Sequence, residues 1–152
     1  MGERVKVGFA NGCYDLFHQG HQHFLIECRR QCDYLVVAVN SDAWCRANKG
    51  DNRPHDPLRT RMLHVRAIAE AVVPFEGREE GLIMEIRPSV IFKGYDHGRD
   101  GTDKLAVRVP RWKELGPHED QWHVIPIIRV GELPGFSTTL AEAALVPKAA
   151  AR

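Results

Sequence analysis

The run Tyr34-Leu35-Val36-Val37-Ala38-Val39 constrains this chain more than any other stretch. It is almost unbroken in apolar character, too short for a buried helix, and rich in β-branched residues. A strand of that kind must be covered on both faces, which is the environment of a parallel sheet with helices packed above and below. The flanking sequence agrees. Val5 to Phe9 is a β-rich run closed by the turn residues Asn11-Gly12, and His21 to Cys32 places Phe24, Leu25 and Cys28 on one helical face. The alternation continues with a helix near Leu58 to Glu70, a strand at Ala71 to Phe75, a helix near Glu80 to Ile86 ended by Pro88, and a strand at Val90 to Lys93.

Beyond Gly94 the pattern changes. Asp103 to Leu115 has helical composition, although Pro110 must start, kink or break such a helix. Val124 to Ile128 reads as a last strand, and Ser137 to Leu145 as a last helix with Ser137 placed to cap it. Strands alternating with helices imply right-handed crossovers. The expectation is a three-layer, Rossmann-like α/β fold with a mostly parallel five-stranded sheet. One domain over residues 1–147 suits a chain of 152 residues, with 148–152 as a frayed tail.

Composition narrows the class. Hydrophobic content of 43% with 27% charged residues is that of a globular chain, and 21 basic against 20 acidic residues leave a formal charge of +1. That balance offers no electrostatic case for nucleic acid. No stretch approaches the roughly 18 apolar residues of a membrane helix, and the N-terminus lacks the apolar core of a signal peptide, so a cytoplasmic location is expected. Reduced thiols are then the default for Cys13, Cys28, Cys32 and Cys45. Cys28 and Cys32 share a helix face, either as buried small hydrophobes or as a metal or redox pair.

The polar clusters fall where the strands end, which is where ligands bind on doubly wound folds. The loop Asn11-Gly12-Cys13-Tyr14-Asp15-Leu16-Phe17-His18-Gln19-Gly20-His21 leaves the first strand and enters a helix. Free backbone N–H groups there meet the positive end of the helix dipole, a natural anion site. Gly12 and Gly20 would let the backbone approach phosphate oxygens, and His18 and His21 can both donate hydrogen bonds to phosphate. Two other readings stand beside this one. A histidine at a helix start can simply cap it, and His18, His21 and His23 could hold zinc, although His21 and His23 diverge by about 200° on a helix.

The motif Asn-Gly-x-x-Asp-x-x-His-x-Gly-His directly after the first strand resembles the cytidylyltransferase-like nucleotidyltransferases. Within that family the likeness is greatest to the D-glycero-β-D-manno-heptose 1-phosphate adenylyltransferases. It continues through Asp33 to Asp42, Lys49-Gly50-Asp51-Asn52-Arg53-Pro54, Pro57-Leu58-x-x-Arg61-Met62, Lys93-Gly94-Tyr95-Asp96 and Gly135-Phe136-Ser137-Thr138-Thr139.

The resemblance implies roles for the matched positions. His18, His21 and Lys49 would be catalytic, contacting the triphosphate and neutralising the reacting phosphates. Phe9, Ala10, Asn11, Gly12, Asp15, Gly20, Lys93, Gly94, Asp96, Ser137 and Thr138 would bind the nucleotide. Asp42, Arg53 and Arg61 would meet the acceptor. Taken without the motif, Lys49 is a solvated loop lysine, Arg61 a surface residue of an amphipathic helix, and Ser137 a cap. Magnesium would arrive with the triphosphate and need no dedicated protein ligands. The implied partners are a nucleoside triphosphate, a small phosphorylated acceptor and a second copy of the chain. A sugar kinase, often fused to the heptose enzymes, is expected as a separate protein.

Glycerol-3-phosphate-type cytidylyltransferases carry Arg-Thr-Glu-Gly where this chain has Glu132-Leu133-Pro134-Gly135. The missing arginine, together with Lys93, favours ATP over CTP. The charged segment 97–131 and Tyr95, at a position where heptose enzymes commonly have glycine, leave the acceptor open among sugar 1-phosphates, polyol phosphates and phosphonates. A nucleotide-binding module without turnover is the reading from another class. A fragment of a class I aminoacyl-tRNA synthetase fits poorly, because the charge is balanced and no Lys-Met-Ser-Lys-Ser-like loop is found.

Overall fold

The computed structural model describes residues 4–76, 79–94, 106–110, 122–131, 134–135 and 138–145. In chain order the elements are β1 (Val7–Gly12), α1 (Gln19–Arg30), β2 (Tyr34–Asn40), α2 (Asp42–Lys49), α3 (Leu58–Arg66), β3 (Ala71–Phe75), α4 (Glu79–Ile86), β4 (Val90–Gly94), β5 (Ala106–Pro110), β6 (Trp122–Val130) and α5 (Thr138–Ala144). The strands form a sheet in the order β3-β2-β1-β4-β6-β5. Every pairing is parallel except that of β5 with β6.

The alternation along the central strands sorts the core into two layers. Leu35, Val37 and Val39 of β2 and Val90 and Phe92 of β4 pack with Leu25 and Cys28 of α1 and Val65 of α3. The residues between them, Ala38 and Ile91, join Phe9, Phe75 and Ile83 of α4 on the opposite face. Successive side chains of a strand point to opposite faces, so an unbroken apolar run feeds both layers at once. Gly8 marks the tightest packing: a Cβ there would lie 2.5 Å from the Phe92 ring and 2.8 Å from Cys32 Sγ.

The sheet has six strands rather than the five expected, and the difference is β5. Residues 106–110 lie in a segment whose composition suggested a helix. Val107 and Val109 instead alternate with Arg108, and Val109 is fully buried while Arg108 is exposed. Pro110 fits because β5 is an edge strand, where a missing backbone N–H interrupts no second ladder. The strand β1 runs three residues further than its composition suggested, to Gly12. The short helix α2 gives no sequence signal because Cys45 is its one buried residue, so it has no apolar stripe. Ser41 starts it, its hydroxyl accepting from Trp44 N at 3.1 Å. Among the described residues no helix is long and apolar enough to cross a membrane.

Candidate active site

The strands β1 and β4 are paired in register over Gly8↔Val90 and Phe9↔Ile91. Beyond that point β1 keeps only β2 as a partner, out to Gly12↔Val39, while β4 keeps β6, out to Gly94↔Val130. The two central strands therefore part at their carboxyl ends. Strand order reverses here too, with β2 and β3 on one side of β1 and β4, β6 and β5 on the other. This is the topological switch point at which α/β sheets bind ligands. The backbone of Ala10 to Gly12 borders the crevice on one side, and that of Phe92 to Gly94 borders it on the other.

His18 and His21 stand on the loop that leaves β1. His18 is the N-cap of α1: its Nδ1 accepts from Gly20 N at 3.0 Å and from His21 N at 3.4 Å, while His18 N donates to His21 Nδ1 at 3.3 Å. This is a capping box built from two imidazoles. The rings stack with centroids 3.7 Å apart. Burial, reinforced by the neighbouring His18, pulls the His21 ring down to about 3, and burial lowers His18 as well. Both rings are thus neutral near pH 7. A neutral imidazole whose Nδ1 accepts a hydrogen bond carries its proton on Nε2, so each ring presents one N–H donor away from the helix. Capping and phosphate recognition are therefore compatible, one on each nitrogen. With both Nδ1 atoms engaged, and no metal-binding group of three or more His, Cys, Asp or Glu among the described residues, the geometry gives no support to zinc.

The loop carries strain and is held from outside. Tyr14 and Leu16 have φ of 54° and 48°, a region that non-glycine residues rarely occupy. Among the described residues the Tyr14 hydroxyl is buried with no hydrogen-bond partner. Asp15, 3% exposed, counters these costs by accepting from His55 N and Asp56 N, both at 2.9 Å, and from Leu16 N at 3.1 Å. It is a bolt between two loops, so both oxygens expected to serve the nucleotide are taken by backbone.

Arg61, expected at the substrate face, is 0% exposed. It lies one turn from the fully buried Val65, on the inward face of α3. Its guanidinium donates to Asp56 O at 2.9 Å, to Cys13 O and Asn40 O at 2.8 Å each, and to Asp42 Oδ1 at 2.6 Å. It thus joins the loop after β1, the end of β2, the start of α2 and the loop before α3. Asp42 is the partner of Arg61 and binds it through Oδ1, while its side chain stays 43% exposed. Arg53 is likewise engaged: its Nε donates to Glu142 of α5, and its guanidinium lies 3.8 Å from Asp15.

Other expected residues fall as follows. Phe9 and Ala10 are fully buried, and Phe9 is paired on both sides, whereas Ala10, Asn11 and Gly12 are paired with β2 alone. Gly20 lies in the first turn of α1, its N–H capped by His18. Lys49 ends α2 and is exposed, close enough for its charge to act on His21 and Cys13. Lys93 binds both oxygens of Glu79, at 3.1 and 3.2 Å, on the way to Gly94 at the strand end. Asp96, Ser137, the side chain of Thr138 and the tail 148–152 lie outside the described residues.

Several participants had no sequence signal. His55 Nε2 meets Glu142 at 2.7 Å, which ties α5 to the loop before α3 across 87 residues of chain. The bonds from Arg53 and His55 hold Glu142 at about 2, well below its ordinary 4.5. A carboxylate lowered on folding contributes stability above its unfolded value and loses it as pH falls towards the folded one. Protection factors of the α5 amides, which remove the intrinsic pH dependence of exchange, are therefore expected to hold down to about pH 4.5 and to fall between there and about pH 2. Glu142→Gln should show the lowered protection already at pH 7, and unchanged protection in that variant would remove Glu142 as the tie.

Comparison with known proteins bears on this arrangement. A family model described as cytidylyltransferase-like matches residues 9–142. Bifunctional protein HldE of Rhodopseudomonas palustris strain TIE-1 is 36% identical over 140 residues, covering 90% of this chain and 26% of that protein. The strain BisA53 protein of the same name is 43% identical over 141 residues, with the same coverage of 90% and 26%. The chain spans about a quarter of the length of these relatives. A crystal structure of the lipopolysaccharide core biosynthesis protein from Thermoplasma volcanium GSS1 shares the fold, with a TM-score of 0.64 at 22% identity over 86% of this chain and 99% of that one. Over residues 9–142 the chain belongs to the cytidylyltransferase-like family of nucleotidyltransferases.

Proposed function

We propose that the chain transfers an adenylyl group from ATP to a sugar 1-phosphate, a heptose 1-phosphate in the first instance, releasing pyrophosphate. The observation that carries this reading is the pair of neutral, backbone-capped imidazoles at the start of α1, on the edge of the sheet where β1 and β4 part. An acceptor phosphate oxygen attacks the α-phosphorus in line. The bond from that phosphorus to the bridging oxygen breaks, and negative charge moves onto pyrophosphate. In this reading the Nε2–H donors of His18 and His21 meet that charge, and the Lys49 ammonium adds a point charge. No protein nucleophile is needed, so catalysis is positioning plus charge stabilisation.

Magnesium, bound with the triphosphate, supplies further neutralisation of the phosphates. The residues suit a metal delivered in that way, because Asp15, the carboxylate of the loop, has both oxygens engaged by backbone N–H groups. The exposed Trp122 and Val124 of β6 support the homodimer reading. A cytoplasmic location is part of the same proposal.

The test is pyrophosphate release with ATP, CTP, GTP or UTP against sugar 1-phosphates, glycerol 3-phosphate, phosphoethanolamine and phosphonates. Release with ATP and D-glycero-β-D-manno-heptose 1-phosphate is expected. Turnover with CTP and none with ATP would overturn the nucleotide assignment. Binding of magnesium-ATP with no turnover on any acceptor would favour a nucleotide-binding module.

A further inference from the structure

Two cysteines from distant parts of the chain meet beside this site. Cys13 Sγ lies 2.6 Å from Cys45 Sγ, and both are free thiols. Cys13 follows directly on β1 at the root of the histidine loop and is half-buried, while Cys45, in α2, is 1% exposed. One group joins the segments that carry them: Arg61 donates to Cys13 O and to Asn40 O, and it grips the Asp42 side chain one turn before Cys45. The other two cysteines are arranged differently. Cys32 Sγ is turned to the carbonyl of Cys28, at 3.4 Å.

We propose that Cys13 and Cys45 form a reversible modification site, a dithiol that low-molecular-weight disulfides convert to an internal disulfide, locking α2 to the histidine loop. A disulfide needs sulfurs about 2.05 Å apart, so closure asks for a small further approach. The exchange balances without any other reagent. The accessible Cys13 sulfur attacks one sulfur of the external disulfide and expels a first thiol. Cys45 then attacks the Cys13 sulfur and expels a second, so two thiols of the protein become one disulfide and one external disulfide becomes two thiols. The surroundings favour a thiolate: the hydrogen bond between the two sulfurs lowers Cys45 to about 7, with help from the Arg61 charge. The acidity belongs to the pair, since the same contact raises Cys13. The pair gives up its first proton readily, and its charge acts through Cys13, the more exposed sulfur, with Cys45 as the resolving partner.

The consequence for turnover rests on the proposed function. Cys45 is the one buried residue of α2, and Lys49 ends that helix one turn later, with no ion pair among the described residues. A bond at Cys45 would fix α2, and with it Lys49, to the root of the histidine loop.

The experiment incubates the full chain under native conditions with bis(2-hydroxyethyl) disulfide, quenches by alkylation, and maps linkages by peptide mass. The expected result is a Cys13–Cys45 linkage ahead of any other, with loss of two hydrogens and reversal by dithiothreitol. Pyrophosphate release should fall at least about threefold in the oxidised chain, as for restraint of a conformational step, and return on reduction. Cys45→Ser should stop at a mixed disulfide on Cys13 and keep its turnover, and Cys45→Ala serves if the serine variant folds poorly. No Cys13–Cys45 linkage in chain that circular dichroism shows to be folded overturns the site. Linkage with full turnover overturns the lock. Absence of turnover in the reduced chain speaks against the proposed function and leaves the linkage test standing.

Discussion

Replacing His18 or His21 with alanine is expected to cut pyrophosphate release by about 100-fold or more, the usual effect of removing one preorganised donor to a developing charge. The loss should appear in kcat, because a donor aimed at charge that develops on pyrophosphate acts more strongly in the transition state than in the bound triphosphate. Stability should change far less. His18 caps α1 through Nδ1, so alanine there removes a cap, at about 1 kcal/mol, or roughly 2–4 °C in Tm for a chain of this size. His18→Asn separates the two roles. Asparagine restores a good N-cap but cannot place a donor where Nε2 stood, so stability should return while turnover stays low. Wild-type turnover in His18→Ala and His21→Ala would remove both residues from the site.

The second large effect is expected at Arg61. Its guanidinium is 0% exposed and serves three carbonyls and one carboxylate drawn from four segments. Arg61→Ala removes that donor from all four acceptors and leaves Asn40 O with the long contact from Cys45 Sγ, at 3.9 Å. Breaking a buried, hydrogen-bonded ion pair in this way costs about 3–5 kcal/mol. Part of that figure is softened here because Asp42 is 43% exposed and can be solvated. Urea unfolding should show a lower midpoint with an unchanged slope. Arg61→Lys is not a rescue, since an ammonium has three donors on a flexible stem and cannot span the four acceptors of a planar fork. If Arg61→Ala kept its midpoint while only the KM for the acceptor rose, the residue would be a substrate contact after all.

These two expectations separate what is local from what is not. The fold class is legible along the chain because burial repeats with the geometry of each element. Leu35 to Val39 cannot be half-solvated, and Ala71 to Phe75 and Val90 to Gly94 repeat the same short apolar form. The histidine loop is legible for a similar reason, since its strand end, turn, cap and helix start are contiguous. Elements that bury little were not legible. The helix α2 has a single buried residue, and β5 is a five-residue edge strand whose composition also suits a helix.

The amino-acid sequence by itself therefore determined the layered α/β architecture, the strand from which the histidine loop leaves and the start of α1 at that loop. Only the tertiary structure decided what Asp15, Arg53 and Arg61 do with their charges. Their partners lie far off in sequence, 41 residues from Asp15 to Asp56 and 89 from Arg53 to Glu142. A hydrogen bond between distant residues leaves no period in the chain, and a charged side chain is assigned to solvent or ligand until a packed neighbour is seen to take it. The same holds for Cys13 and Cys45, which sit 32 residues apart and meet because β1 and β2 run side by side and Arg61 draws their ends together.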